Sequence, residues 1–365
     1  MTSTPTFPPG TSAVSPVPKR GVTPPGDAAT PYDRLPRTLR WAWWRPLLGL
    51  GVFAAAAILG STLVAAAVMI AMVAAGELGT SPEAIEGLLD RMRELDATDS
   101  VVLVLALGSI AIWLVAVWLG LLAAGMKPLG HVSSVALRLR WGWLGLCTVV
   151  AVVTLAANFA ISFGLSAVMG EEVAAPQWTP WDRLWLPLLV VILLVPFQAA
   201  AEEYVFRGIF VQALGSWLPR RAWARVIVWV LPTAAFVFSH GYGLWGLLDV
   251  TVFALTAMWV TLRTGGLEAA IALHVVNNVT VFGLLASGAL GSTVNGSSEG
   301  SLAGVLITAI VSLVFAWVVD ALATRRGIAR TSAWPERASA VALTVPLPRP
   351  VAYYEGRVDA VARAS

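Results

Sequence analysis

Long apolar runs separated by short polar segments fill the chain between residues 46 and 323. Their lengths suit helices that cross a bilayer, which need roughly 20 apolar residues. The pattern predicts spans over about 46–75, 101–125, 142–168, 184–206, 223–240, 244–262, 266–287 and 302–323. The runs are continuous rather than alternating, which argues against a transmembrane β-barrel. The expected fold class is therefore all-α: a polytopic transmembrane helical bundle of about eight spans. Only Gly241-Tyr242-Gly243 separates the fifth run from the sixth. Pro232 is a candidate kink in the fifth.

The flanks read differently. Residues 1–36 are rich in Pro, Thr, Ser and Gly and carry too little apolar surface to fold alone, so a disordered tail is expected there. Arg37 to Arg45, with Trp41, Trp43 and Trp44, suits the headgroup zone and anchors the first span. Residues 37–324 form the expected transmembrane domain, with its polar motifs in 184–290. Residues 325–365 are expected to be a largely unfolded cytoplasmic tail. Between the first two spans, Ser81-Pro82-Glu83 is a good helix start, and Ile85, Leu88, Leu89 and Met92 follow at helical spacing. No cleavable signal peptide is visible, because the first apolar run begins late and is too long for a signal core. Neither an internal repeat nor a nucleotide-binding glycine motif is found.

Composition agrees with the pattern. Of the 365 residues, 58% are hydrophobic and only 12% charged, against about 25% charged in soluble domains. Bases and acids alternate from loop to loop. Arg34, Arg37, Arg45, Lys127, Arg138, Arg140, Arg220, Arg221, Arg225, Arg263, Arg325 and Arg326 fall on one side of the predicted bundle. Glu77, Glu83, Glu86, Asp90, Glu94, Asp96, Asp99, Glu171, Glu172, Asp182 and Glu299 fall on the other. Positive loops face the cytoplasm, so both termini are expected there, in a multi-pass protein of a prokaryotic inner membrane. The net charge of +3 is small, and the bases mark topology rather than a nucleic-acid surface. Cys147 is the single cysteine, which excludes a disulfide within the chain and a thiolate metal cluster. It reads as a small buried helix residue. His131 sits in a polar loop and reads as non-catalytic.

Candidate chemistry lies in three apolar runs. Ala201-Glu202-Glu203-Tyr204-Val205-Phe206-Arg207-Gly208 puts two carboxylates and a guanidinium in or beside a span. Such residues are costly in a membrane and mark functional sites. Glu203 and Arg207 are four apart and share a helix face, in the favourable order for an ion pair. Glu202 points about 100° away and is left for chemistry. His240 closes the fifth run, with Phe236 one turn earlier. His274 shares a face with Asn278, and the pair can donate to one oxygen, as a developing oxyanion requires. Gln198 is one turn before Glu202 and in position to orient it. Asn158 and Asn277 read as interhelical hydrogen-bonders. Asp249 is placed either on a cavity or in a structural pair. A glutamate acting on water, with histidines to hold it or relay protons, describes amide hydrolysis. Buried Glu and His also serve proton-coupled transporters, and both readings stand at this point.

The three motifs, Glu-Glu-x-x-x-Arg, Phe-x-x-x-His and His-x-x-x-Asn, in this order on successive hydrophobic helices, resemble the CPBP family of intramembrane proteases. That family includes type II CAAX prenyl endopeptidases and bacteriocin-processing enzymes. The matching positions are Glu202, Glu203 and Arg207, then Phe236 and His240, then His274 and Asn278. Phe206-Arg207-Gly208 and Thr264-Gly265-Gly266-Leu267 look like the family's flanks. The resemblance covers residues 184–290 well and the first three spans only by hydropathy. It implies a bundle with a polar cavity opening to the cytosolic side, acting on a peptide or membrane-protein substrate in the lipid bilayer. Glu202 and His240 would activate water. His274 and Asn278 would stabilise the oxyanion, with Glu203, Arg207 and Phe236 in support. The family is usually classed as metalloproteases. Zn2+ held by Glu202, His240 and His274 and a metal-free glutamate mechanism are equally compatible with the residues. No His-Glu-x-x-His is present. A non-catalytic scaffold or bacteriocin-immunity relative is the alternative. One tension stands: the predicted limits put Glu202 and His274 in the cytoplasmic half and His240 near the outer end of its helix.

Overall fold

The computed structural model describes residues 29–39, 41–79, 81–170, 175–294, 301–333 and 336. Among them, seven helices are long and apolar enough to cross a membrane. These are α1 (Trp44–Ala74), the joined pair α3 (Ser100–Ala111) and α4 (Trp113–Ala123), α5 (Trp141–Met169), a continuous stretch from Trp181 to Trp217, α9 (Leu244–Thr264), α10 (Glu268–Ser287) and α11 (Leu302–Arg325). The bundle is all-helical, as expected. Where eight crossing runs were expected, the fifth is α8 (Ala222–Phe238), a shorter apolar helix of 17 residues. Large apolar side chains such as Ile58, Ile70, Ile192, Leu313 and Trp317 stay exposed on the bundle's outside, which suits a lipid solvent. The amphipathic helix predicted between the first spans is α2 (Pro82–Glu94). Its Ser81 side chain accepts from the Ala84 N–H at 3.3 Å. Leu88 packs on Met72 and Leu105, while Ile85, Leu89 and Met92 stay exposed.

The connections sort into two faces. On one, Arg45 donates to the Ala124 carbonyl at 2.6 Å, Trp217 Nε1 to the Trp43 carbonyl at 2.8 Å, and Arg34 to the carbonyls of Gly215 and Leu218. On the other, the Ala97 N–H donates to Thr293 and the Gln177 N–H to Gly288, at 2.8 and 2.9 Å. The first face also holds both chain flanks. Strand β1 (Thr30–Pro31) pairs antiparallel with β2 (Thr331–Ser332), and Glu336 bridges Arg34 and Arg220. We call it the terminal face.

This corrects the expected tails. Residues 29–36 are folded: the Tyr32–Thr38 turn of 3₁₀ helix buries Tyr32 and Leu35 completely. A segment too polar to fold alone folds here because the membrane domain supplies the core under it. Residues 331, 332 and 336 likewise belong to the fold. The remainder of both expected tails lies outside the described residues.

The stretch from Trp181 differs most from expectation. It comprises α6 (Trp181–Glu203), a π-helical segment (Tyr204–Phe210) and α7 (Val211–Trp217). A chain expected to leave the bundle near residue 206 continues for another eleven residues. Two polar residues in this continuation, Arg207 and Gln212, are both buried and hydrogen-bonded.

Beneath the π segment, the 124–140 connection folds inward. The Tyr204 hydroxyl and Ser133 Oγ are 2.7 Å apart. A Cβ on Gly208 would sit 2.8 Å from Val132 Cγ2, so only glycine allows this approach. Gly265 has φ +67°, and its Cβ would meet the Arg330 carbonyl at 2.6 Å. Beside it, Arg140 forks onto the fully buried Glu268 at 2.7 and 2.8 Å.

His131 also lies in this floor and is fully buried. Its Nδ1–H donates to Gln212 Oε1 at 2.6 Å, and Gln212 Nε2 returns a bond to the His131 carbonyl at 2.8 Å. Burial pulls the imidazole from its ordinary value of 6.5 down to about 4, outweighing the Gln212 hydrogen bond. The folded chain therefore binds fewer protons here than the unfolded one between those values. Its stability is complete above pH 6.5 and falls as the pH drops toward 4, by about 3 kcal/mol. Thermal unfolding in detergent across pH 7 to 4.5 should show this acid slope, and His131→Asn should flatten it.

Candidate active site

The π-containing stretch sets the depth of the site. Glu202 lies fifteen residues from the helix end at Trp217, roughly 22 Å at 1.5 Å per residue. His240 follows the 17-residue α8, which starts four residues after α7 ends. Rising from the same face, His240 reaches a depth of about 27 Å. On this count the two side chains differ in depth by about 5 Å, and both line one cavity. The fourth span is longer than its apolar run, which sets Glu202 deeper than the predicted limit.

Glu202, His240, His274, Asn278, Gln198, Asn277 and Asp249 all line one cavity of about 430 Å³. Glu203 lies behind it. Arg207 Nη1 donates to Glu203 Oε1 at 3.0 Å, and both side chains are fully buried. The guanidinium stacks 4.0 Å from the Phe236 ring centroid, and its Nη2 reaches the Ala254 carbonyl at 3.4 Å. The helix-angle expectation for this pair holds across the change from α to π geometry.

The same Glu203 oxygen accepts from His274 Nδ1 at 2.8 Å. A carboxylate only accepts, so a proton is on Nδ1, and Nε2 is the ring nitrogen left facing Glu202. That Nε2 lies 3.6 Å from Glu202 Oε2. Glu202 Oε1 accepts from Gln198 Nε2 at 2.8 Å, as the one-turn spacing suggested. Glu202 Oε2 is buried and has no hydrogen-bond partner. His240 Nδ1 donates to the Phe236 carbonyl at 2.8 Å, which leaves Nε2 as the ring nitrogen available. Phe236 touches both histidines, with ring centroids 4.7 Å from His240 and 5.9 Å from His274.

Asn278 is tied to the site through Gln198. Its Nδ2 donates to Gln198 Oε1 at 3.2 Å, and Gln198 in turn bonds Glu202. Asn277 bonds Asn278 within the helix at 3.0 Å rather than across helices. Asn158 Oδ1 has no partner. The zinc set does not fit either: among the described residues no three His, Cys, Asp or Glu side chains group to hold a metal ion. The Nδ1 atoms of His274 and His240 are taken by Glu203 and by the Phe236 carbonyl, which leaves the two Nε2 atoms as the ring donors available.

The cavity reaches the face opposite the termini. Its lining includes Leu95 and Tyr242, from connections on the face opposite the termini. On the terminal side, Val132 and Leu267 pack against Gly208 and Ser133 bonds Tyr204. Motif reading missed this floor, including Glu268 with Arg140. An acid opening a helix just after two glycines was the available signal, but its partner lies 128 positions away.

Glu203 and Arg207 combine structural and chemical roles, which a mutant cycle separates. Arg207→Met alone leaves a buried carboxylate unpaired and should cost about 3–5 kcal/mol. Adding Glu203→Leu should restore much of that stability in thermal unfolding. Any activity of the site should stay lost, because His274 then has no acceptor for Nδ1.

Residues 183–280 match the family described as type II CAAX prenyl endopeptidase Rce1-like. A curated relative, the uncharacterized protein YyaK of Bacillus subtilis (strain 168), is 24% identical over 167 residues. That alignment covers 45% of this chain and 54% of that protein, so the chain spans about half the length of the curated relative it matches. No solved structure matches the chain significantly.

Proposed function

Since the chain carries an Rce1-like type II CAAX prenyl endopeptidase family domain, we propose that it is an intramembrane endopeptidase working through a carboxylate-activated water. One observation carries this reading. Glu202 Oε2 is buried on the cavity wall without a partner, beside His274 Nε2 at 3.6 Å, while the neighbouring Glu203 is neutralised by Arg207. One carboxylate is spent on structure and the other is free.

The chemistry follows from the donors and acceptors. A water between Glu202 Oε2 and the substrate gives its proton to that oxygen and attacks the peptide carbonyl carbon. The unprotonated Nε2 of His240 is an acceptor able to orient that water. Asn278 Nδ2 has a second N–H beyond the one used on Gln198, and this N–H is the oxyanion donor. His274, held by Glu203, accepts the proton at Nε2 and returns it to the leaving amine as the C–N bond breaks. The substrate is a peptide or a membrane-protein segment.

The topology supports one arrangement of this enzyme. The pairing of β1 with β2 puts both flanks together, which supports an even number of crossings. α8 then counts as the eighth pass, at about 25 Å for 17 residues. The terminal face carries Arg37, Arg45, Lys127, Arg138, Arg220, Arg221, Arg225, Arg263 and Arg326. By the positive-inside rule it is cytoplasmic. The cavity then opens toward the outer side of the cell membrane.

Two experiments test these points. Peptide profiling of cells with the wild-type chain or Glu202→Gln should show products that fall by about 10²-fold or more in the variant. His240→Ala should lose the same products; identical profiles would end the protease reading. A reporter that matures only in the cytoplasm should be active when fused to either terminus. Activity at one end alone would remove α8 as a crossing.

A further inference from the structure

The cavity contains a second carboxylate that the proposed hydrolysis does not use. Asp249, on α9, lines it together with Asn158 of α5 and Thr308 and Ser312 of α11. Counted from the terminal-face ends of their helices, Asn158, Asp249 and Thr308 are 17, 15 and 17 residues in (158 − 141, 264 − 249, 325 − 308). At 1.5 Å per residue they lie within about 3 Å of one depth. Asp249 Oδ1 and Asn158 Oδ1 are both buried with no hydrogen-bond partner. The Thr308 hydroxyl is the polar neighbour of the Asp249 carboxylate. Among the described residues, no Lys or Arg lines the cavity. Two orphan acceptors, one on a carboxylate, in a cavity without a cation ask for a cationic donor.

The site is close to the reacting groups. Phe253, one turn along α9 from Asp249, packs its ring 4.9 Å from His274. α9 enters from the opposite face, so Asp249 lies about 6 Å nearer the cavity's open side. An extended peptide advances about 3.3 Å per residue. A lysine or arginine side chain within two residues of the scissile bond reaches that depth.

We propose that Asp249, with Asn158, forms a specificity subsite for a lysine or arginine side chain of the substrate, within two positions of the bond that is cut. The assignment rests on the endopeptidase reading. Asp249 selects the peptide and does not touch the reacting atoms. The uncharged lining on either side of it, Val250, Phe253 and Phe315, keeps the ion pair dry and therefore selective.

The test uses the full chain in lipid nanodiscs and a synthetic peptide library randomised around a central bond. It includes norleucine and citrulline as neutral counterparts of lysine and arginine. Wild type should cut in a Glu202-dependent way and prefer Lys or Arg at one flanking position. Asp249→Asn is isosteric and should lower that preference over the neutral counterparts roughly 10- to 100-fold. Asp249→Arg should move the preference toward Asp and Glu. Glu202-dependent cleavage without a basic preference, or with one that survives Asp249→Asn, overturns the subsite alone. Cleavage that ignores Glu202→Gln overturns the endopeptidase reading and the subsite with it.

Discussion

A charge buried in a membrane protein must be neutralised on the spot, and here that constraint falls on Glu203 and Arg207. Both are fully buried, and their single close contact of 3.0 Å is sealed by the Phe236 ring on one side. The Ala254 carbonyl takes the second arm of the guanidinium. The pair thus ties the π segment to α8 and α9. Its free capacity goes to His274 on α10, which shares the same Glu203 oxygen. Four helical elements converge on one ion pair, and it holds the Nδ1 proton of His274. Removing either charge would leave the other in low dielectric, which costs far more than the pair contributes.

The neighbouring carboxylate has the opposite environment. Glu202 is adjacent in sequence but turned toward the cavity, where one oxygen is held by Gln198 and the other has no partner. Low-dielectric surroundings make such an orphan acceptor costly, and such sites are where chemistry is expected. The contrast arises from 100° of helix rotation and the placement of one arginine. Asp249 repeats the pattern on another wall, with no arginine among the described residues of the cavity to answer it.

Depth is the second organising quantity. The apolar run ending near residue 206 suggested a span ending there, with Glu202 close to the surface. Continuation through the π segment to Trp217 puts Glu202 near the middle of the bundle. Gly208 permits this, because Val132 packs where its side chain would be. The loop carrying Val132 and Ser133 then forms a floor on the terminal face. The cavity itself reaches Leu95 and Tyr242, on the opposite side.

Hydropathy was enough for the all-helical, polytopic bundle. Helix angles within one element were enough for the Glu203–Arg207 pair, the Gln198–Glu202 contact and the freedom of Glu202. These are local properties, carried by spacings of one turn. What crosses between elements was not legible. Asn278 bonding to Gln198, Arg140 to Glu268 and Glu336 to Arg34 each join residues many positions apart. A polar flank such as Tyr32–Thr38 has no core of its own and folds only on the one that the helices provide. The depth of His240, the floor beneath the site and the direction of the cavity also depend on how helices of unequal length end. Packing decides this, because a buried and paired arginine no longer marks the edge of a membrane span.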